Sequence, residues 1–316
     1  MPAISQAFRC FDEVARRGSV RKAAETLHLT AAAVNQQVLN LEAQVGTPLF
    51  DRLPRGMQLT AAGEIMIAAV RRSQRDYDNA LTQVEDMRAL RRGHVNIGVS
   101  HSTAESLLPQ VVQSVQRSHP GITFSVRSGN GESLLRGVAN GEIDVAYCLR
   151  RTPPPGVEEV RAHPQQLGVV MAPGHPLHTP ARLLRLRDCL DHPLVMMSPD
   201  MELRSLLERI DPRLARAGRP LVETSSVPMV RRLVAGSQAV SFLLPDNVVE
   251  DVDAGRLVWV ALEDAAARLF SGIYQRSGYT TSVAMGLLLG ALEAEVNAIH
   301  QRFDRQAPPP LQGFAT

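Results

Sequence analysis

Along the first sixty positions, apolar residues recur at helical intervals interrupted by short polar corners. Ala23, Ala24 and Leu27 share one face of a run that Ser19 is placed to cap, and their small size lets a second helix approach closely. Thr30 stands at the start of a second run, in which Ala33, Val34, Val38, Leu41 and Val45 form an apolar stripe that ends at Gly46. The pattern predicts two helices joined by a tight corner. The stretch TPLFDRLPRGMQLTAAGE (residues 47–64) predicts two short strands around a Pro54-Arg55-Gly56 turn, then a long helix capped by Thr60. Along that helix Met66, Val70, Ser73, Tyr77, Ala80, Val84 and Met87 recur at the period of a coiled-coil seam, with charged residues on the other faces. Met66, Val70, Tyr77, Val84 and Met87 are therefore expected to pair two chains.

At Gly93 the period changes. HVNIGVS, STAESLLPQVVQSVQRSHP, ITFSVRSG, GESLLRGVANGEI and DVAYCL alternate strand with helix, which predicts a parallel sheet with crossover helices. QLGVVMAP, PLVMMSPD, MELRSLLERI, LVETSS, VPMVRRLVAGSQ and AVSFLLP repeat the alternation as a second lobe, and RLFSGIYQR with the helix from Tyr279 to Phe303 returns to the first. Two lobes joined by a double crossover enclose a cleft. Ligands of such sheets bind beyond the carboxyl ends of strands, where helix N-termini offer free N–H groups. The residues expected there are Ser100, Ser102, Thr103, Asn130, Ser198 and Ser226, with Cys148, Met201 and Phe242 as apolar walls.

Composition narrows the class. A chain of 316 residues with 44% hydrophobic content has room for two or three domains, each with its own core. No segment approaches the ~18 uncharged apolar residues of a membrane span, and the first eighteen carry charge in every turn, so a cytoplasmic protein with no membrane partner is expected. Cys10, Cys148 and Cys189 are widely separated and odd in number, which predicts reduced thiols and no zinc pairing. Net charge is only +2, with Lys22 the single lysine among 34 basic residues. No enzyme signature is complete: GVSHS at 98–102 lacks the closing glycine of a nucleophile elbow, Pro176 interrupts the His175-x-x-His178 spacing, and no phosphate-binding G-x-x-x-x-G-K-[ST] loop occurs. Neither a metal nor a cofactor is expected.

By themselves the first sixty residues fit either an ordinary helical hairpin with a polar solvent face or a DNA-reading helix-turn-helix. Thr30, Ala31, Asn35, Gln36, Gln37 and Asn40 lie on the outer side of the second helix, as short groups suited to base edges in a major groove. Arg21 and Lys22, with Arg52 and Arg55 on the strand hairpin, suit phosphates or a minor groove. The arrangement F..VARRGSVRKAAETLHLTAAAV..QV..LEAQVGTPLFDRLPRGMQLTAAGE resembles the winged helix-turn-helix of LysR-type transcriptional regulators. Farther on, VNIGVS, GEIDVA, PGHPL and LVAG...V..LLP resemble the effector domain of the same family.

The resemblance implies an α + α/β protein: an N-terminal winged helix-turn-helix (1–60), a linker helix that pairs two chains (61–92) and a two-lobed periplasmic-binding-protein-like effector domain (93–303). Lobe I is placed at about 93–162 and 267–303 and lobe II at about 163–266, with 304–316 as a disordered tail. It also implies a homodimer or homotetramer on promoter DNA, heads about 34 Å apart, and RNA polymerase as a partner where the regulator activates. The chain departs from the family at Thr30-Ala31-Ala32 and Asn35-Gln36, where members commonly carry Ser-Gln-Pro and a serine followed by a basic residue, and at Ser237-Gln238-Ala239, in place of Gly-x-Gly. Hydroxyls at helix N-termini, with no carboxylate placed to meet a cation, lead us to expect a small polar effector, anionic rather than cationic.

Overall fold

The computed structural model describes residues 5–53, 56–89, 93–179, 184–216 and 220–303. Arg55, the side chains of Val84 and Met87, and the tail at 304–316 lie outside the described part.

Three helices build the head: α1 (Gln6–Arg17), α2 (Val20–Leu27) and α3 (Ala31–Val45). Each starts on a hydroxyl that accepts a backbone N–H three residues on, Ser5 from Phe8, Ser19 from Lys22 and Thr30 from Ala33. The corner between α2 and α3 turns on His28, a non-glycine residue in the left-handed region at φ 53°. Strands β1 (Phe50–Leu53) and β2 (Gly56–Leu59) pair antiparallel as the wing. The long helix α4 (Ala61–Ala89) follows, its Thr60 cap accepting from Gly63 N–H at 3.0 Å. Phe11, Val14, Ala23, Val34, Val38, Leu41, Leu49 and Phe50 form the buried core of this unit.

Val70 belongs to that core, 2% exposed, with Ile67 buried beside it and Met66 packed at the edge. This corrects the expected seam at its first positions: the apolar face of the first turns of α4 is covered by the head of the same chain, because the helix leaves the wing directly across it. Tyr77 and Leu81, about two and three turns beyond Val70, are exposed. Arg71 joins α4 to its neighbours, donating to Asp12 of α1 at 2.7 Å and to Glu142 at 3.4 Å.

Beyond Gly93 the chain runs β3 (Gly93–Val99), α5 (His101–Glu105), α6 (Leu108–Ser118), β4 (Ile122–Ser128), α7 (Gly131–Ala139), β5 (Val145–Leu149) and β6 (Val157–Gln166). It then crosses to β7 (Gly168–Met171), β8 (Val195–Met197), α8 (Glu202–Ile210), α9 (Arg213–Arg216), β9 (Val222–Thr224), α10 (Val227–Ala235), β10 (Ser241–Leu243), α11 (Val249–Asp253) and β11 (Val258–Ala261). Finally β12 (Arg268–Arg276) and α12 (Val283–Phe303) return. The first sheet has the order β4-β3-β5-β12-β6, with β3 parallel to β4 and β5, and β12 antiparallel to β5 and β6. The expected all-parallel sheet is therefore mixed. The strand at 157–166 escapes a reading by alternation because it is an edge strand carrying Glu158, Glu159, Arg161 and Pro164, residues that an edge tolerates. The second lobe holds β10-β7-β11, antiparallel, and a parallel β8-β9 pair, connected by the parallel bridge between Leu194 and Val240.

Helix α12 is, among the described residues, the one helix long and apolar enough to cross a membrane. Its Ala284, Met285, Leu288, Leu292, Val296, Ile299 and Phe303 are buried in the first lobe's core, at the spacing of a packed stripe. Phe303 meets Trp259 of the second lobe edge to face, with ring centroids 5.1 Å apart. Between the lobes, Leu167 N–H donates to Ala267 C=O at 2.8 Å while Leu262 N–H donates to Leu167 C=O at 3.1 Å.

Candidate functional sites

The head presents α3 and the wing together. Ala31, Gln36 and Asn40 are exposed on α3, Asn35 and Gln37 are half-buried, and Arg21 and Lys22 are exposed on α2. Their amides are engaged with one another. The Arg52 guanidinium of β1 donates to Asn35 Oδ1 at 3.1 Å, and the Gln36 side-chain amide donates to Asn40 Oδ1 at 2.9 Å. The wing is anchored to α3 from beneath by Glu42, whose Oε1 accepts the Leu49 and Phe50 backbone N–H groups at 2.8 and 3.1 Å. These are charge-assisted bonds in a partly buried place, so they fix the distance between wing and recognition helix. Thr30, expected on the reading face, spends its hydroxyl oxygen on the cap.

The second site is a cleft at the carboxyl ends of β3, β4 and β5, with about 730 Å³ of empty space counting its open mouth. Ser100, Ser102, Thr103, Asn130, Cys148 and Met201 line it, together with Leu149, Met197, Leu203, Val227 and Leu244. The hydroxyls serve two purposes there. Ser100 Oγ accepts from Thr103 N–H at 3.3 Å and lies 2.7 Å from Thr103 Oγ1, and Asn130 Oδ1 accepts from Ser133 N–H at 2.9 Å. They cap α5 and α7 while facing the cleft.

Ser198, Ser226 and Phe242 are not among the lining residues. After β8 the chain runs on before turning into α8, so Asp200 to Leu203 reach the cleft and Ser198 does not. Ser226 is exposed and caps α10, accepting from Met229 N–H at 3.4 Å, and the next residue, Val227, faces inward instead. Phe242 is 1% exposed inside the core of lobe II.

The expectation that no carboxylate meets the cleft is corrected more sharply: Asp200, Glu202 and Asp246 all line it. Glu202, at the start of α8, accepts from the Arg151 guanidinium at 2.6 Å, bridging the lobes across the mouth. Arg151 is itself held by Tyr274, which accepts its backbone N–H at 2.8 Å and donates to its carbonyl at 3.0 Å. That ion pair lies against Gly131 at the start of α7: a Cβ there would fall 2.8 Å from the Arg151 guanidinium and displace it. Asp246 and Asn247 lie on the turn after β10, 6% and 3% exposed. Burial pushes the Asp246 carboxyl up to about 6, against the backbone N–H groups of Asp246 and Asn247 that favour its ionised form. Sequence reading missed this pair because Pro245 marks them only as the end of a strand.

Cys148 is a wall, not a nucleophile. Burial first, then the charge of Glu202, pushes its thiol up to about 12, with Arg151 acting in the opposite direction. The His175-x-x-His178 spacing is structural: His175 Nδ1 accepts from Leu177 N–H at 3.2 Å and its Nε2 lies 3.2 Å from the Gln238 carbonyl. That carbonyl belongs to the Ser237-Gln238-Ala239 departure, whose Ser237 hydroxyl donates to Leu233 C=O at 2.7 Å. No metal-holding cluster occurs among the described residues.

Comparison with known proteins adds the lineage. A family model described as "Bacterial regulatory helix-turn-helix protein, lysR family" matches residues 5–64, and one described as "LysR substrate binding domain" matches residues 88–297. The chain is 30% identical over 246 residues to the HTH-type transcriptional regulator CbbR of Xanthobacter flavus, covering 77% of this chain and 73% of that protein. It is 29% identical to the RuBisCO operon transcriptional regulator of Allochromatium vinosum, covering 93% and 97%. Among solved structures, a full-length OxyR variant from Pseudomonas aeruginosa superposes with a TM-score of 0.66 at 18% identity, over 93% of each chain.

Proposed function

The chain belongs to the LysR family of transcriptional regulators, and from that premise we propose how its two sites divide the work. The head reads operator DNA through Asn35, Gln36 and Asn40 in a major groove, while Arg21, Lys22 and Arg52 hold phosphates. Arg55, which follows Pro54 in the sequence between the wing strands, is assigned to the phosphates as well. A second chain supplies the other half-site, paired along α4 beyond the head, where Tyr77 and Leu81 are exposed and where Val84 and Met87 continue the apolar spacing. Promoter-bound tetramers, and RNA polymerase where a gene is activated, complete the assembly in the cytoplasm.

The cleft between the lobes takes the effector, touching Ser100, Ser102, Thr103 and Asn130 on one side and Met201 on the other. An effector that binds one lobe arrangement better shifts the population toward it by that difference in affinity, and no covalent step is needed. The observation that supports this reading most is convergence. Three strand ends of lobe I and three separate segments of lobe II meet at one cleft, in a chain whose first sixty residues form a DNA-reading head.

The test is to capture genomic fragments on the full chain and sequence them. Enriched fragments should share a pseudo-palindromic motif whose half-sites lie one helical turn apart or a multiple of it. Gln36→Ala should change the motif. Enrichment without any shared motif would overturn the reading role.

A further inference from the structure

Asp246 Oδ1 and Asn247 Nδ2 have no hydrogen-bond partner among the described residues, although both side chains are more than nine-tenths buried. Both line the cleft. Leaving such groups unpaired costs stability, so two in succession at the floor of a cleft suit a molecule that pairs both. Oδ1 accepts and Nδ2 donates. The complementary ligand therefore places a donor and an acceptor side by side.

The charge of the surroundings decides which donor. Asp200 and Glu202 add carboxylates to the same cleft, and Arg151, the cation beside it, is already engaged by Glu202 at 2.6 Å. A ligand with net negative charge would meet repulsion at the mouth and at the floor. The lobe I side of the cleft is polar, with the hydroxyls of Ser100, Ser102 and Thr103, the His101 ring and Asn130, while Met197, Met201, Leu203, Val227 and Leu244 form an apolar wall on the lobe II side.

Resting on the reading that this cleft is the effector site, we propose that the effector is a small amphipathic amine. Its ammonium group meets Asp246, an adjacent oxygen accepts from Asn247, and its aliphatic body lies on the methionine and leucine wall. Amino acids and amino alcohols share this chemistry. The sequence-based expectation of an anion is reversed by it.

The experiment measures thermal unfolding of the full chain with four probes of equal carbon length: L-norleucine, L-norleucinol, hexylamine and hexanoate. A probe carrying both groups should raise the melting temperature by a few degrees at about ten times its Kd. Hexylamine should raise it less and hexanoate not at all. A norleucine response marks an amino acid, and a larger norleucinol response an amino alcohol. Asp246→Asn should abolish the rise while the unliganded protein still melts cooperatively. Should that variant not fold, Asn247→Ala should erase the preference of norleucine or norleucinol over hexylamine. A rise with hexanoate as large as any other, no rise with either two-group probe, or a rise that Asp246→Asn leaves intact would each overturn the proposal. If hexanoate stabilises the chain and Thr103→Val removes that effect, the amine proposal fails while the cleft remains the effector site.

Discussion

On the head, the Asn35 carboxamide is engaged by Arg52 and that of Gln36 by Asn40, in side chains that still reach water. At the floor of the cleft, Asp246 and Asn247 are buried with one polar atom each left unpaired. The difference follows from what each surface exchanges on binding. An exposed amide passes from a neighbouring side chain to a base edge through water at small net cost, so pairing in the free state also holds the reading groups in place. A buried group has no such intermediate, and its missing partner turns a ligand lacking the right atom into a poor one. On the proposed roles, the head is arranged for pre-organisation and the cleft for discrimination.

That contrast can be broken at four places. The largest effect is expected from Glu42→Ala, which removes a carboxylate accepting two backbone N–H groups of the wing. At about 1.5–3 kcal/mol for each charge-assisted bond, the head should lose roughly 3–6 kcal/mol, read as an early transition in urea unfolding followed by far-ultraviolet circular dichroism. A single unshifted transition would show that the wing is held by its apolar contacts instead.

Next comes Asp246→Asn. Burial raises the folded carboxyl from 3.8 to about 6, so the native state binds its proton more tightly than the unfolded chain does. That contribution is fully present below pH 3.8 and is lost as the pH rises through about 6. The difference of about two units at ~1.36 kcal/mol each makes the ionised carboxylate cost about 3 kcal/mol at pH 8. The asparagine variant should be more stable than the parent by that order at pH 8 and no more stable near pH 4. A gain that does not depend on pH would mean that ionisation is not its source.

Arg52→Ala should weaken operator binding about ten-fold and also broaden its sequence preference, because the guanidinium positions the Asn35 amide besides meeting phosphate. Equal weakening on all sequences would reduce it to a phosphate contact. The smallest effect belongs to Cys148. With its thiol at about 12, alkylation at neutral pH should run roughly three orders of magnitude slower than for free cysteine, and peroxide should leave DNA binding unchanged. Rapid single-site labelling of Cys148 would overturn this.

What the sequence made legible depended on whether the deciding contact was local. Ser19, Thr30, Thr60 and Gly46 announce their helices because each acts within four residues of itself. Ser100, Thr103 and Asn130 could be placed in the cleft because strand ends project there in any open sheet. Val70 could not be assigned, since a heptad spacing does not distinguish burial against one's own head from burial against a second chain. Asp246 and Asn247 were invisible for a related reason: their neighbours across the cleft lie more than forty positions away in the chain, on Cys148 and Met201, and nothing in LLPDNV marks them as anything but a strand end.

The crossing between the lobes has a consequence of its own. The outgoing chain at Leu167 and the returning chain at Leu262 and Ala267 are hydrogen-bonded to each other, so the two connections form a ribbon rather than a pair of independent tethers. A ribbon flexes easily about one axis and resists shear and the other rotations. If the cleft takes the effector as proposed, ligands of different size should differ mainly in where along that one axis they bring the lobes to rest. A homologous series of effectors should accordingly produce outputs that fall on a single graded curve, rather than a set of unrelated shapes.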